Sequence, residues 1–377
     1  MSRSGYEAVH LVTGYPYFRG RKVVEHLVRA ESGALVYAVV APEKAKEAEE
    51  ARSRLAPTER DRVVMLDGDV ASIDMGLSGS EYRTLAHEVD RIHHAAQVTY
   101  LGADRRIAAV ANVSTTREVL ELGRACESLD ALLMYSSAMV SGTRTGVVLE
   151  DELNVGQSFR SSVEETLALG ERMARLAMAD LPVVIVRPSQ IIGDSVTGEV
   201  ERFDGLYLLI LLIVSSPQEF PLILPTRGDV PLHVVPIDYV VRAAHHISRQ
   251  PEAIGRTFHL VDPRPLSVRQ MFDLVAERGG RMLERGSIPT QLVRALLATA
   301  GVGLVPKSPL ALLDLIATEV RYGTHHSQEI LLESGIECPA FETYVDQMIE
   351  YVKLRVEERT QGSEPARARD SEDEDAT

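Results

Sequence analysis

Six short apolar runs recur along the first half of the chain, separated by stretches of helical spacing. The runs are "AVHLVTG", "ALVYAVV", "RVVMLDGDV", "VDRIHHAA", "LDALLMYSSAMVSG" and "LPVVIVRPS". Most are apolar at consecutive positions, not at every second one. A strand wetted on one side alternates, whereas a strand covered on both sides does not. Between the runs stand "RKVVEHLVRA", with Val23, Val24, Leu27 and Val28 at helical spacing, and the charged "EKAKEAEEARSRL". "ANVSTTREVLELGRAC" and "SSVEETLALGERMARLAMA" follow as further helices. This alternation predicts an α/β fold built on a doubly wound parallel sheet with helices on both faces.

After Ser189 the pattern loosens. "DVPLHVVPIDYVVRAAHHISRQ" reads as a strand and a helix, and "GRTFHLVDP" as one more strand. "SVRQMFDLVAERGG" reads as a helix with Ser267 at its N-cap. Residues 290–318 are rich in Leu and Ala, broken by "GVGLVPKSP". A final amphipathic helix places Phe341, Tyr344, Val345, Met348, Tyr351 and Val352 along one face. The expected organisation is a Rossmann-type domain over 1–190 and a smaller, mostly helical substrate subdomain over 191–356. Within the latter, 230–262 returns to the sheet, and a disordered acidic tail covers 357–377.

A formal net charge of −15 argues against a nucleic-acid binder, which needs a basic face to displace counterions. Two cysteines, Cys126 and Cys338, build no disulfide framework. With no basic start followed by an apolar leader, they point to the cytoplasm. The longest apolar run, "LYLLILLIV" at 206–214, is too short to span a bilayer. It reads as a buried helix or as the wall of an apolar ligand site. His93–His94, His245–His246 and His325–His326 are adjacent pairs. Neighbours on a strand point to opposite faces, and no metal-binding helix motif is present, so no metal site is expected.

Several stretches, in joint order, carry a more specific signal. They are "HLVTGYPYFRG", "GDV" at 68–70, "IHHAAQVTY", "NVSTTREVLEL", "YSSAMVSG", "VRPSQIIGDSVTGEVERFDGLY", "VPIDYVVRA" and "FHLVDPRPLSV". Over roughly residues 8–355 the chain resembles an extended short-chain dehydrogenase/reductase. The branch is the male-sterility NAD-binding type, which includes fatty acyl-CoA reductases and carrier-protein thioester reductases. That resemblance implies a nicotinamide cofactor on the first turn. It also implies a catalytic Tyr and Lys four residues apart on the long helix, in a pattern Tyr-x-x-Thr-Lys-x-x-Ala-Glu. The Tyr moves a proton, and the Lys binds the ribose and lowers the Tyr pKa.

Here Thr166 and Glu171 fix the register, and the Tyr and Lys positions hold Val163 and Leu167. Neither can move a proton or bind a hydroxyl. Ser137 falls on the third catalytic position and is vestigial without the pair; Tyr135, from another element, is a poor substitute. In the glycine-rich turn, Gly14 and Gly20 stand where the tight turn and close helix packing need them. Tyr17 replaces the glycine that lets pyrophosphate approach, and Pro16 removes an N–H. Tyr17 is therefore expected to fill part of the pyrophosphate space. After the second strand Ala41 and Pro42 offer the ribose nothing, and Glu43 and Lys44 stand about one turn late. Asp69 resembles the residue that meets the adenine, Asn112 the one that supports the active-site sheet, and Arg19 a possible phosphate partner.

These losses all fall on one reaction. They imply a non-catalytic homologue with no cofactor or only weak NAD(P) binding. Such a protein would serve as a binding or partner subunit for an acyl or carrier-protein ligand, or as a homo- or heterodimer with a related reductase. The alternative is an active NAD(P)-dependent oxidoreductase on an acyl thioester, aldehyde or keto-acyl substrate with a non-standard proton donor.

Overall fold

A computed structural model of the chain describes residues 5–200, 229–281 and 319–362, with residues 202, 206, 207, 210, 211, 213, 222, 223, 283 and 284 between them. Seven strands form one sheet. They are β1 (Ala8–Thr13), β2 (Ala34–Val40), β3 (Val63–Asp67), β4 (Arg91–His94), β5 (Ala131–Tyr135), β6 (Val183–Pro188) and β7 (Thr257–Leu260). Their order is β7-β6-β5-β4-β1-β2-β3, with every neighbouring pair parallel. The sheet winds outward from β1 in both directions, so the switch in strand order falls between β1 and β4. The doubly wound Rossmann-type expectation holds.

Every residue of β1, β2, β5, β6 and β7 is buried, which is why these runs are continuously apolar. Alternate residues enter two separate cores. Val36, Ala38 and Val40 of β2 join Val12, Leu133 and Val186 beneath α1 (Phe18–Ala30) and α6 (Ile237–Ser248). Leu35, Tyr37 and Val39 join Leu11, Ile92 and Met134 on the other face. There they meet Leu85 of α3 (Gly79–Glu88), Val119 and Leu122 of α4 (Thr115–Ala125), and Ala174 and Ala177 of α5 (Ser162–Ala177). Each fully buried Val or Leu of this kind contributes about 1.5–3 kcal/mol. β3, at the edge, is only partly buried.

The α1/α6 face also holds a polar chain. Glu31, at the end of α1, takes His10 Nε2 at 3.2 Å and His245 Nε2 at 2.6 Å. His10 Nδ1 lies 3.3 Å from His93 Nε2, and His26 Nε2 lies 2.9 Å from His245 Nδ1. His93 and His94 do face opposite ways: His94 bonds Thr13 Oγ1 at 2.9 Å and Thr116 Oγ1 at 3.1 Å. Among the described residues no group of three or more His, Cys, Asp or Glu is placed to hold a metal ion.

The helical region leading into α4 starts earlier than the sequence pattern suggested. A turn of helix over Arg105–Ala109 and a π turn over Val110–Ser114 precede it. The Asp104 side chain accepts from Arg106 N at 2.8 Å and caps that start. In the C-terminal part, Leu206, Tyr207, Ile210, Leu211 and Ile213 pack against α7 (Val268–Arg278) and α9 (Val345–Gly362). The described part of the 206–214 run is therefore core. Residues 290–318 lie outside the described residues. Phe341, Tyr344, Val345, Met348 and Val352 are buried as expected, but α9 runs through Gly362, so a tail beginning at 357 starts too early. Among the described residues no helix is long and apolar enough to cross a membrane.

Candidate functional site

The carboxyl ends of β1 and β4 diverge at the switch point, where open α/β sheets receive ligands. Gly14, after β1, has φ +84°, and a Cβ there would come within 2.7 Å of Ala95 O. A Cβ on Gly20 would collide with the Gly14 carbonyl group. The turn and the first turn of α1 thus touch through bare backbone, and only glycine fits either position.

Tyr17 is the N-cap of α1 and makes no side-chain cap bond. Its ring is 54% exposed, and Lys44 Nζ lies 5.4 Å from the ring centroid. Lys44 follows β2, on the side where a dinucleotide ribose would come. The Tyr17 side chain is thus exposed and lies against Lys44. Lys44 Nζ also donates to Glu47 Oε1 at 2.8 Å. Arg19 turns inward, its Nε donating to Ala95 O at 3.2 Å and its Nη2 donating to Gln97 O. It spans the gap between α1 and the loop after β4.

Val163 and Leu167 are fully buried in a small apolar cluster with Ala108, Val140, Leu153 and Ala168. Leu101, Ala103, Met139 and Phe159 pack around it. Asn112 closes this region from one side. Its Oδ1 accepts from Val98 N at 2.7 Å, and its Nδ2 donates to Val98 O and to Thr166 Oγ1, each at 3.0 Å. Asn112 so ties the loop after β4 to α5. Ser137 is buried and caps a 3-10 turn, its Oγ accepting from Met139 N at 3.2 Å. Asp69 is exposed and takes Ala71 N and Ser72 Oγ, each at 3.0 Å, a local turn cap. Tyr135 is fully buried, with its hydroxyl pushed above its usual pKa by burial, and belongs to the core beneath α1.

A nicotinamide dinucleotide needs a polar pair on α5 for its ribose and an open backbone at the turn for its pyrophosphate. The side chains at the corresponding positions of this chain are Val163 and Leu167 on α5 and Tyr17 at the turn. His94, at the carboxyl end of β4, is pushed down to about 3 by burial and stays neutral.

Two ionic groups were not foreseen. Glu171, read only as a register mark, is a fully buried ion-pair partner of Arg187, with Nη2 to Oε1 at 2.6 Å. Arg175 Nε reaches the same Oε1 at 2.9 Å, and Ser136 Oγ donates to Oε2 at 2.6 Å. Burial works against this carboxylate, but Arg187, Arg175 and Ser136 together outweigh it and hold the group below its usual pKa. The second group joins Arg21 and Lys22 of α1 to Asp194 and Glu199. Its sequence signal was the run of cations in "FRGRK", with no acidic residue in the first turn of α1.

A sequence profile for the family described as Male sterility protein matches residues 12–244. A component of the linear gramicidin synthase of Brevibacillus parabrevis is 24% identical over 378 residues, covering 93% of this chain and 7% of that protein. Fatty acyl-CoA reductase wat of Drosophila melanogaster is 24% identical over 273 residues, covering 62% of this chain and 52% of that one. The chain thus spans about half, or far less, of these relatives. Among solved structures, the terminal R domain from the myxalamid PKS-NRPS biosynthetic pathway superposes with a TM-score of 0.77 at 25% identity. The match covers 94% of this chain and 92% of that one.

Proposed function

The chain belongs to the Male sterility protein family of extended short-chain dehydrogenase/reductases, and from that premise we propose that it is a non-catalytic member acting as a binding or partner subunit. The observation that carries this reading is the burial of Val163 and Leu167 in an apolar cluster. A proton donor and a ribose ligand are missing there, and the place they would face is packed with hydrocarbon. The ligand class follows from the relatives, whose names include fatty acyl-CoA reductase: an acyl chain or an acyl group on a carrier protein. In this reading residues 1–190 are the dinucleotide-binding-like body and 191–356 the substrate-like part, in a cytoplasmic protein. Ile107 and Val110, and Leu169 and Leu176 on α5, are exposed apolar side chains suited to a homodimer or a heterodimer with a related reductase.

Titration of the purified chain with NADH and NADPH tests the proposal. No binding is expected at micromolar concentration, and micromolar affinity for either would overturn it. The second reading, an active reductase with another proton donor, draws on relatives named as reductases and on the retained Ser137. Reduction of an acyl thioester by the unaltered chain, lost in Ser137→Ala, would establish that second reading instead.

A further inference from the structure

We propose that four histidines between the sheet and its α1/α6 cover form an acid-labile seam, which seats the carboxyl half of α6 on α1 only while each of two imidazole pairs shares a single proton. His10 of β1 and His93 of β4 are fully buried, and His245 of α6 is buried beside them. His10 Nδ1 lies 3.3 Å from His93 Nε2, and His245 Nδ1 lies 2.9 Å from Nε2 of His26 on α1. Both pairs end on Glu31, which closes α1, with His10 Nε2 at 3.2 Å and His245 Nε2 at 2.6 Å. One carboxylate thus joins β1, α1 and α6.

Donor counting fixes the protons. An ionised carboxylate only accepts, so His10 and His245 each donate to Glu31 through Nε2. In a neutral ring the other nitrogen then accepts. His93 Nε2 therefore donates to His10 Nδ1, and His26 Nε2 donates to His245 Nδ1. One added proton reverses such a bond, whereas a second sets N–H against N–H between two cations in a dry site. A reversed bond also moves the outer ring's proton to its Nδ1. At His93 that atom is buried and has no hydrogen-bond partner among the described residues.

The surroundings oppose added charge as well. Burial is the largest cause at His10, His26 and His93 and holds all three below 6.5, and His26 falls to about 4 with His245 as its next cause. The other titratable groups around the seam are Glu25 and Arg29 on α1, Arg91 on β4, Tyr135 on β5, and Arg242 and Arg249 on α6. Arg62 Nη1 donates to Glu31 O at 2.7 Å. Arginines outnumber carboxylates there. These histidines bind protons more weakly in the closed seam than in an open one. The stabilisation they give is complete above about pH 6.5 and is lost as pH falls toward about 4.

Only one end of α6 depends on this chemistry. At its amino end Asp238 accepts from Ser195 N and Oγ, each at 2.9 Å, and Ile237 N donates to Gly193 O at 2.7 Å. At its carboxyl end the polar ties to α1 are His245 to His26 and Glu31, and Arg249 to Glu31 at 3.4 Å. Acid therefore frees the carboxyl half first and bares Ala244 and Ile247, which share a core with Leu27 and Val28 of α1.

The test is amide exchange of the full chain, followed by NMR between about pH 7 and about pH 5 and corrected for the intrinsic pH dependence of exchange. Amides of residues 244–249 are expected to lose protection at least about tenfold more than those of Ala131–Tyr135, which open only with the sheet. A smaller excess overturns the seam. The H26Q/H93Q variant keeps a donor and an acceptor opposite His245 and His10 but cannot take the second proton, so its excess should shrink to within about twofold. An undiminished excess in that variant overturns the assignment to the histidines. If the variant does not fold, the unaltered chain decides the matter through its own comparison of α6 with β5.

Discussion

The first half of α5 buries Val163 and Leu167 among hydrocarbon, and the second half buries Glu171 among Arg175, Arg187 and Ser136. Residues 163, 167 and 171 are four apart and share one stripe of the helix. All three are fully buried. One half is closed by packing, the other by paired charges. The contrast sets apolar packing beside an ionic tie on one helix. Glu171 ties α5 to β6 through Arg187, and that tie is present. Val163 and Leu167 pack in hydrocarbon on the same helix that this ion pair holds to the sheet.

The largest effect should come from the ionic half. Arg187→Met leaves Glu171 short of its main partner in a dry site and should cost about 3–5 kcal/mol in urea unfolding. A cost below about 1 kcal/mol would mean the pair does not anchor the helix. Next, Leu167→Ala should cost about 2–4 kcal/mol by opening a cavity; a near-neutral result would show that this position faces an open crevice. Third, the charged half should respond to acid and the apolar half should not. His259 Nε2 lies 3.2 Å from Arg187 Nη1, and burial first, then Arg187, push its pKa down from 6.5 to about 3. The unfolded chain therefore binds this proton first. The stability His259 contributes is complete above about pH 6.5 and is lost as pH falls toward 3. Glu171, whose carboxyl is held low, acts in the same sense below its ordinary value. Urea midpoints should fall from pH 7 to 4, and His259→Gln should flatten the slope. The smallest effect belongs to Ser137→Ala, which removes one turn cap and should cost about 1 kcal/mol; a loss of measurable reductase activity in that variant would reassign Ser137 to catalysis.

Much of the sheet was legible because burial on both faces leaves a mark at every position of "ALVYAVV" and "LPVVIVRPS". The start of the Arg105–Ala109 helix was not, since a single cap, Asp104, sets it and the flanking residues show no strong period. The register of Val163 and Leu167 was readable from Thr166 and Glu171, but the surroundings of Glu171 were not. A pattern of spacing places a residue on a helix and says nothing of what the next strand presents to it. The same limit hid the Lys22–Asp194 pair, which joins residues 172 positions apart. Nor does the sequence pattern show that Lys44, from a different loop, lies against the Tyr17 ring.

The tie between Glu31 and His245 bears on how the protein is made. α6, which covers the same face as α1, leaves the ribosome more than 200 residues after it. β6 likewise waits for Thr257–Leu260 to cover its outer edge. A nascent chain that has reached about residue 190 would hold most of a sheet with an apolar helix face bare and a strand edge unpaired, the exposed features that recruit chaperones or cause aggregation. The seven-stranded sheet is complete only when residue 260 has been synthesised.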